Sequence, residues 1–335
     1  MTFAPSLHQW FLANQRDLPW RHTRDPYRIW LSEIMLQQTR VTAVIPYYER
    51  FLARFPDFPS LAAAPESDLL AAWAGLGYYS RARNLQRAAQ QMLALGRFPS
   101  TYDEIRALPG VGDYTAGAVS SIAFGLPHIG IDGNILRVIA RYTADSGDIS
   151  QTPTRLRISA FAESHLPADS PGVFQQALMD LGATVWPPQS PKCLLCPLAS
   201  SCAARRDGLT TQLPIKLTNK TTIEETRHLL WFSHNDALLL LQHPPTSPRL
   251  AGFWDLPDSS LFPRLPLGPP QAQFSHSIVN HKYELLIHTP PLPPPPPPQQ
   301  HRIPITPIPQ NPMSTNTKKS KPTNQKTSFH FNSQP

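Results

Sequence analysis

Apolar positions recur at helical spacing through residues 1–205. The three- and four-residue repeat runs through Ile29–Val44, Leu69–Trp73, Ala82–Leu95, Thr115–Phe124, Ile135–Tyr142 and Phe174–Val185. Asp25-Pro26 reads as a helix start, with Asp as N-cap and Pro at the first helical position. Short links carrying Gly or Pro separate the segments. The pattern predicts a mainly α architecture with an all-helical domain over 1–205. Residues 206–225 are polar and predict a linker. Beyond it the runs become strand-like, at Leu229–Phe232, Ala237–Leu241 and Tyr283–His288, which predicts a smaller β-containing domain over 226–289. No internal repeat is visible.

Composition changes this picture mainly at the end of the chain. The forty prolines, roughly 12% of residues, exceed the usual ~5%. Fourteen of them lie in 290–335, with Pro293 to Pro298 unbroken. The same segment holds Arg302, Lys318, Lys319, Lys321 and Lys326 and no acid. Most of the formal charge of +7 therefore belongs to this segment, and the rest of the chain is nearly neutral. Residues 290–335 read as a disordered, Pro-rich basic tail. No apolar run reaches the ~18 residues of a membrane span. Met1-Thr2-Phe3-Ala4-Pro5 is not a basic start followed by an apolar stretch, so export is not expected. Three cysteines predict metal ligands or reactive thiols rather than a disulfide framework.

Three short segments carry candidate chemistry. Leu108-Pro109-Gly110-Val111-Gly112 lies between helical segments. Two glycines allow a sharp turn that offers backbone N–H groups at a helix start, where an anion such as a DNA phosphate is favoured. An ordinary glycine turn is the plainer alternative. Asp132-Gly133-Asn134 stands at the next helix start, where Asp is most often an N-cap. Glu33 lies among apolar positions in Trp30-Leu31-Ser32-Glu33-Ile34-Met35-Leu36-Gln37-Gln38-Thr39. It is either solvated at the edge of the stripe or buried. A buried carboxyl stays protonated near neutral pH and can act as a general acid.

Together these residues resemble the MutY-type adenine DNA glycosylases of the helix-hairpin-helix superfamily, which have an endonuclease III-like fold and excise adenine mispaired with 8-oxoguanine. The likeness extends from about Leu7 to Ala204. It includes Leu18-Pro19-Trp20-Arg21, Gly75-Leu76-Gly77-Tyr78-Tyr79-Ser80-Arg81-Ala82-Arg83-Asn84 and Met179-Asp180-Leu181-Gly182-Ala183. It implies base-excision repair on double-stranded DNA containing A:8-oxoguanine or A:G mispairs, by a monomer in the cytoplasm at the nucleoid, with no membrane partner. It makes Glu33 the acid that protonates the adenine and Asp132 the stabiliser of the cationic sugar. Asn134 orients this region, and Tyr114 hydrogen-bonds Glu33 or the sugar. Trp20, Arg21 and Gln176 form the base pocket. Gln37 contacts DNA, Gln38 and Tyr78 fill or wedge the helix near the oxidised base, and Leu108, Gly110, Val111 and Gly112 hold a phosphate. Bifunctional relatives place a lysine nucleophile two residues past the hairpin. Here that position is Tyr114, which implies a monofunctional glycosylase. A bifunctional glycosylase/lyase and a catalytically impaired DNA-binding remnant are the alternatives.

The same likeness extends more weakly to a MutT-like domain, through Leu250-Ala251-Gly252-Phe253-Trp254-Asp255-Leu256-Pro257 and Phe274-Ser275-His276, the latter matching a loop that reads the opposite base. No intact Nudix signature is present, so nucleotide hydrolysis is not expected. The stretch from Glu224 to Thr289 is short for such a domain, which makes it partial and suggests that the tail is read out of frame. The family also implies a 4Fe-4S cluster on four cysteines in the loop 186–202. Cys193, Cys196 and Cys202 keep its spacing, but the first ligand position is Trp186, whose indole N–H is a donor only. The cluster is therefore expected to be incomplete, labile or absent.

Overall fold

In a computed structural model the chain forms two compact units, Met1–Thr218 and Asn219–Pro335. The structure describes residues 3–217, 221–234, 237–244, 247, 252–278, 280–290 and 300–304.

The first unit is helical. Its helices are α1 (Phe3–Asn14), α2 (Pro26–Leu36), α3 (Val41–Arg54), α4 (Phe58–Ala63), α5 (Glu66–Trp73), α6 (Ser80–Leu95), α7 (Tyr102–Arg106), α8 (Asp113–Phe124), α9 (Gly133–Thr143), α10 (Thr152–Ser164), α11 (Pro171–Asp180) and α12 (Ala203–Arg206). Asp25 caps α2 as expected, accepting from the backbone N–H groups of Tyr27 and Arg28. The continuous repeat over Ile29–Val44 is divided in the structure. Helix α2 stops at Leu36, and a turn carries Gln38 at φ 56° before α3 begins. The apolar phase continues across the turn, so periodicity alone does not show the break. Helix α1 has no long repeat, yet Phe3, Leu7 and Phe11 form a buried stripe at four-residue spacing. That stripe packs into one core with Ile135, Val138 and Ile139 of α9 and Phe174, Ala177 and Leu178 of α11.

Helix α11 organises this half of the unit. Gly172 lets it approach α8 closely, since a Cβ there would lie 2.6 Å from the Ser121 carbonyl oxygen. At its other end Asp180 is fully buried. Arg16 donates to it from Nε at 2.8 Å and from its backbone N–H at 3.2 Å, and Arg21 donates from Nη2 at 2.6 Å. Burial alone raises the Asp180 pKa, but the bonds from Arg21 and Arg16 outweigh it and leave it below the ordinary carboxylate range. The carboxylate thus anchors the segment after α1 to the end of α11.

The expected linker over 206–225 is shorter than its polarity suggests. Leu213 is buried in the helical core, Arg141 Nε donates to its carbonyl at 2.7 Å, and Ile149 N–H donates to Ile215. One apolar residue and two backbone contacts are enough to fasten a polar stretch, and composition does not register them.

The second unit carries β1 (Ile223–Leu230), β2 (Ser233–His234), β3 (Ala237–Gln242), β4 (Trp254–Asp255), β5 (Ala272–Ile278), β6 (His281–His288) and β7 (Gln300–Pro304). Strand β6 lies between β1, parallel to it, and β5, antiparallel to it. Strand β3 pairs antiparallel with β2, β4 and β7. Leu229, Leu238, Leu240, Trp254, Tyr283, Leu285 and Ile287 share a buried cluster. Phe274-Ser275-His276 lies on β5 rather than in a loop, with Phe274 opposite Leu285 and His276 opposite Tyr283. Within the Pro-rich segment, Gln300–Pro304 pairs antiparallel with β3. Residues 291–299 and 305–335 lie outside the described residues, as do Leu250 and Ala251.

Asp180→Asn removes the charge that neutralises two arginines. Breaking a buried pair this way costs about 3–5 kcal/mol. Thermal unfolding is expected to show a fall in Tm on the order of 10 °C. An unchanged Tm would show that the arginines find other partners.

Candidate active site

Helix α2 presents Glu33 toward the interior, where it is only 4% exposed. Tyr114, on the first turn of α8, donates its hydroxyl to Glu33 Oε2 at 2.7 Å. Burial pushes the Glu33 carboxyl up to about 7, and the negative charge of Asp132 adds to the rise. The Tyr114 hydroxyl and the Arg21 guanidinium oppose it. Glu33 thus titrates near neutrality, as a general acid requires.

Asp132 is the N-cap of α9. Its Oδ1 accepts the Ile135 N–H at 2.8 Å, and its Oδ2 accepts Asn134 Nδ2 at 2.6 Å. The capping reading is therefore correct, and it leaves Asp132 lining the same cavity as Glu33. Burial raises the Asp132 pKa against the pull of those two donors. Asn134 is fixed in turn. Arg137 Nη2 donates to Asn134 Oδ1 and to the Gly182 carbonyl, both at 2.7 Å, and Arg137 Nε donates to the Trp186 carbonyl at 2.6 Å. The amide orientation of Asn134 is set by a guanidinium that is itself held by backbone.

These groups border a cavity of about 480 Å³. Glu33, Tyr114, Asp132 and Asn134 line it together with Trp20, Arg21, Gln37, Gln38 and Gln176. Nine of the residues singled out in the sequence therefore meet at one place. Arg21 differs from the expected role in one respect: its guanidinium is committed to Asp180, so it lines the pocket with most of its donors already used. Tyr78 stands outside the cavity lining, partly exposed and at φ 47°. The hairpin is also separate. Val111 N–H donates to the Leu108 carbonyl at 3.1 Å, closing the turn with both side chains buried. Gly110 is left-handed at φ 77°, and a Cβ there would lie 2.7 Å from the Asn84 Cβ. Gly112 begins α8 with no side-chain cap, so the first-turn N–H groups have no side-chain acceptor. That is the arrangement an anion needs. Phe274, Ser275 and His276 belong to the second unit.

Four contributors were not visible in the sequence. Asp180 and Arg16 hold the Arg21 segment. Gln175 is fully buried, and it both accepts the Gly130 N–H and donates to the Gly130 carbonyl just ahead of Asp132. Arg137 sets Asn134. The usable signal was polarity at a buried helical phase, as at Gln175 and Asp180 of α11.

The cysteine loop does not fit a four-ligand cluster. Cys193, Cys196 and Cys202 are free. Among the described residues no group of three Cys, His, Asp or Glu could hold a metal ion. Trp186, read in the sequence as the first ligand position, is 2% exposed and packed in the same apolar cluster as Cys196, Leu198 and Cys202. Its indole N–H hydrogen-bonds the Cys196 thiol, which opposes the rise that burial imposes on the Cys196 pKa.

A family model for HhH-GPD superfamily base excision DNA repair proteins matches residues 31–163. The adenine DNA glycosylase of Buchnera aphidicola subsp. Acyrthosiphon pisum is 35% identical over 237 residues, covering 70% of this chain and 68% of that protein. The chain belongs to the adenine DNA glycosylase family. The human adenine DNA glycosylase is 43% identical over 215 residues, covering 61% of this chain. The chain spans only 39% of that human family member's length. Among solved structures, a thermostable thymine-DNA glycosylase superposes with a TM-score of 0.56 at 31% identity, covering 61% of this chain and 95% of that one. Family membership accounts for the mainly helical hairpin-bearing fold.

Glu33→Gln tests the burial of the carboxyl independently of any activity. The folded pKa is raised from 4.5 to about 7, so ionised Glu33 opposes folding. That cost is absent below the unfolded pKa, grows between the two values, and is complete above about 7, where it reaches about 3 kcal/mol. The variant is expected to gain Tm over the native chain by several degrees at pH 8, and to show little gain at pH 4.5. A Tm difference independent of pH would contradict the buried-acid assignment.

Proposed function

We propose that this chain removes adenine from A:8-oxoguanine and A:G mispairs in double-stranded DNA, hydrolysing the N-glycosidic bond without a lyase step. The observation that carries this reading is the pair Glu33–Tyr114: a buried acid titrating near 7, hydrogen-bonded to a phenol where a lyase would need an amine. Family membership supports the glycosylase class.

The target base must leave the stack to be reached. A cavity of about 480 Å³ falls in the range of small-molecule sites, and Trp20 and Gln176 line it. Departure of the base leaves positive charge on the sugar and negative charge on the base. Glu33 delivers its proton to N7 of adenine, which lets the base leave neutral. The Asp132 carboxylate, held by Asn134 and the first turn of α9, stabilises the oxocarbenium-like sugar. Glu33, now ionised, takes a proton from the attacking water, and the cycle closes. The hairpin N–H groups hold a phosphate, and Phe274, Ser275 and His276 on β5 are the candidates for reading the opposite base. The enzyme acts as a monomer in the cytoplasm, on nucleoid DNA.

We also propose that the loop 186–202 folds without a complete 4Fe-4S cluster, because the indole of Trp186 fills the place of one ligand within the apolar core. The expected result is that anaerobically purified protein carries less than a full complement of iron and sulfide per chain. Trp186→Cys supplies the fourth thiol and is expected to raise both, with visible iron–sulfur absorbance. A full cluster in the native chain would refute the proposal.

Single-turnover assay on an A:8-oxoguanine duplex tests the activity. Adenine release without strand breaks is expected, at a rate that falls as pH rises through about 7 and Glu33 loses its proton. Glu33→Gln is expected to lower the rate by a factor on the order of 10²–10⁴ while sparing duplex binding. Nicking without alkali would mean a lyase, and binding without excision a remnant.

A further inference from the structure

Arg81, on the first turn of α6, is 8% exposed and has no carboxylate partner among the described residues. Its guanidinium is surrounded by carbonyls. Nη1 donates to Ile34, Met35 and Gln37, at 2.9, 2.8 and 2.6 Å. Nη2 donates to Thr39 Oγ1 at 3.2 Å and to the Leu76 and Gly77 carbonyls at 3.2 and 3.3 Å. The first three acceptors and Thr39 belong to the end of α2 and the turn that follows it. The last two belong to the turn between α5 and α6.

Each of these turns contains one non-glycine residue in the left-handed region: Gln38 at φ 56° and Tyr78 at φ 47°. L side chains rarely adopt that region, and they persist there only when the surroundings impose it. Arg81 supplies a common restraint. It bonds residues on both sides of Gln38, and the two carbonyls just ahead of Tyr78. The Arg81 guanidinium also lies over the Tyr78 ring, 5.4 Å from its centroid, and over the Trp73 ring at the same distance. The Arg81 N–H donates to the Tyr78 carbonyl at 2.8 Å. One planar, permanently charged fork therefore fixes the spacing of two turns that are not contiguous in sequence.

We propose that Arg81 is a positioning residue for lesion discrimination: it sets Gln38 and Tyr78 at the height and spacing with which they enter the duplex beside the mispair. This rests on the proposed glycosylase function and on Gln38 and Tyr78 as the residues that enter the helix. Arg81 touches no DNA and acts through these two side chains. Lysine keeps the charge at this site but cannot span two turns with a single nitrogen.

The test uses the full chain and a duplex in which 2-aminopurine replaces the target adenine opposite 8-oxoguanine. The readouts are the ratio of affinities for this duplex and a fully paired one, the 2-aminopurine fluorescence, and the excision rate on the adenine duplex at saturating protein. Arg81→Lys is expected to lower the affinity ratio about tenfold and to reduce the fluorescence gain, with a smaller change in the saturated rate. In a background carrying both Gln38→Ala and Tyr78→Ala the same change is expected to have little further effect on the ratio, because both side chains it positions are gone. A purely structural role predicts equal losses in both backgrounds, and that outcome would overturn the proposal. Should Arg81→Lys fail to fold, Thr39→Val removes one acceptor of Nη2 and is expected to lower the ratio in the same direction. A ratio unchanged in a folded variant overturns the proposal while leaving the glycosylase function intact. A native chain that neither prefers the mispaired duplex nor excises adenine overturns the functional reading itself, and this proposal with it.

Discussion

The arrangement of the helical unit depends on one buried charge. Asp180 sits at the end of α11 with no access to water, and two arginines from beyond α1 converge on it. A carboxylate in that position without partners would be protonated or the segment would open. With both partners it fixes the path of the chain from Asn14 to α2. That path sets Trp20 and Arg21 against the cavity and gives α2 its starting point, and α2 carries Glu33. The same helix holds other parts of the site: Gln175 grips Gly130 ahead of Asp132, and Met179 contacts the Tyr114 hydroxyl. Helix α11 is thus the common support of the acid, its phenol and the second carboxylate.

The two carboxylates are raised by burial in different company. Glu33 has one hydroxyl donor and apolar neighbours on its own helix, and burial dominates. Asp132 has a backbone N–H and an amide, both oriented by the start of α9, and these hold a negative charge more readily. The two environments thus treat a bound proton differently, although the side chains differ by only one methylene. Arg21 contributes to the same balance: its charge favours ionised Glu33, but Asp180 neutralises most of it. Without that neutralisation the acid would be pulled back toward the ordinary carboxylate range.

What could be read in the chain was whatever was local. The hairpin at Leu108–Gly112, the cap at Asp25-Pro26 and the helix start at Asp132 are each defined by neighbours within a few residues. Glu33 stood out as a charge in an apolar stripe, but the stripe left its burial open, and its role came from the family resemblance. The Arg16–Asp180 and Arg21–Asp180 bonds join residues 164 and 159 positions apart, and no local pattern marks them. The turn at Gln38 was hidden because the apolar phase of α2 runs on into α3. Strand β5 was hidden because its alternation is weak, with Ser275 and Ser277 exposed and Phe274 and His276 only half-buried. The packed stretch around Leu213 was hidden behind its polar composition.

The departure at Trp186 has a consequence that follows from where its contacts lie. Arg137 and Arg141 both bond the carbonyl of residue 186, and Arg141 bonds those of Pro187 and Pro188 as well. A main-chain carbonyl is the same whichever side chain the residue carries. Exchange of a thiol for an indole therefore leaves Arg137 in place, and with it the bond to Asn134 and the bond from Asn134 to Asp132. The indole also supplies apolar volume to a cluster that already holds Cys196, Leu198 and Cys202, so the loop keeps a packed core. The indole N–H meets the Cys196 thiol, where its hydrogen bond opposes the rise that burial imposes on the Cys196 pKa. The position of Asp132 is thus buffered from the identity of residue 186. The side chain at 186 acts on the packing of the loop, while the position of Asp132 is carried through Arg137 and Asn134 by a main-chain carbonyl.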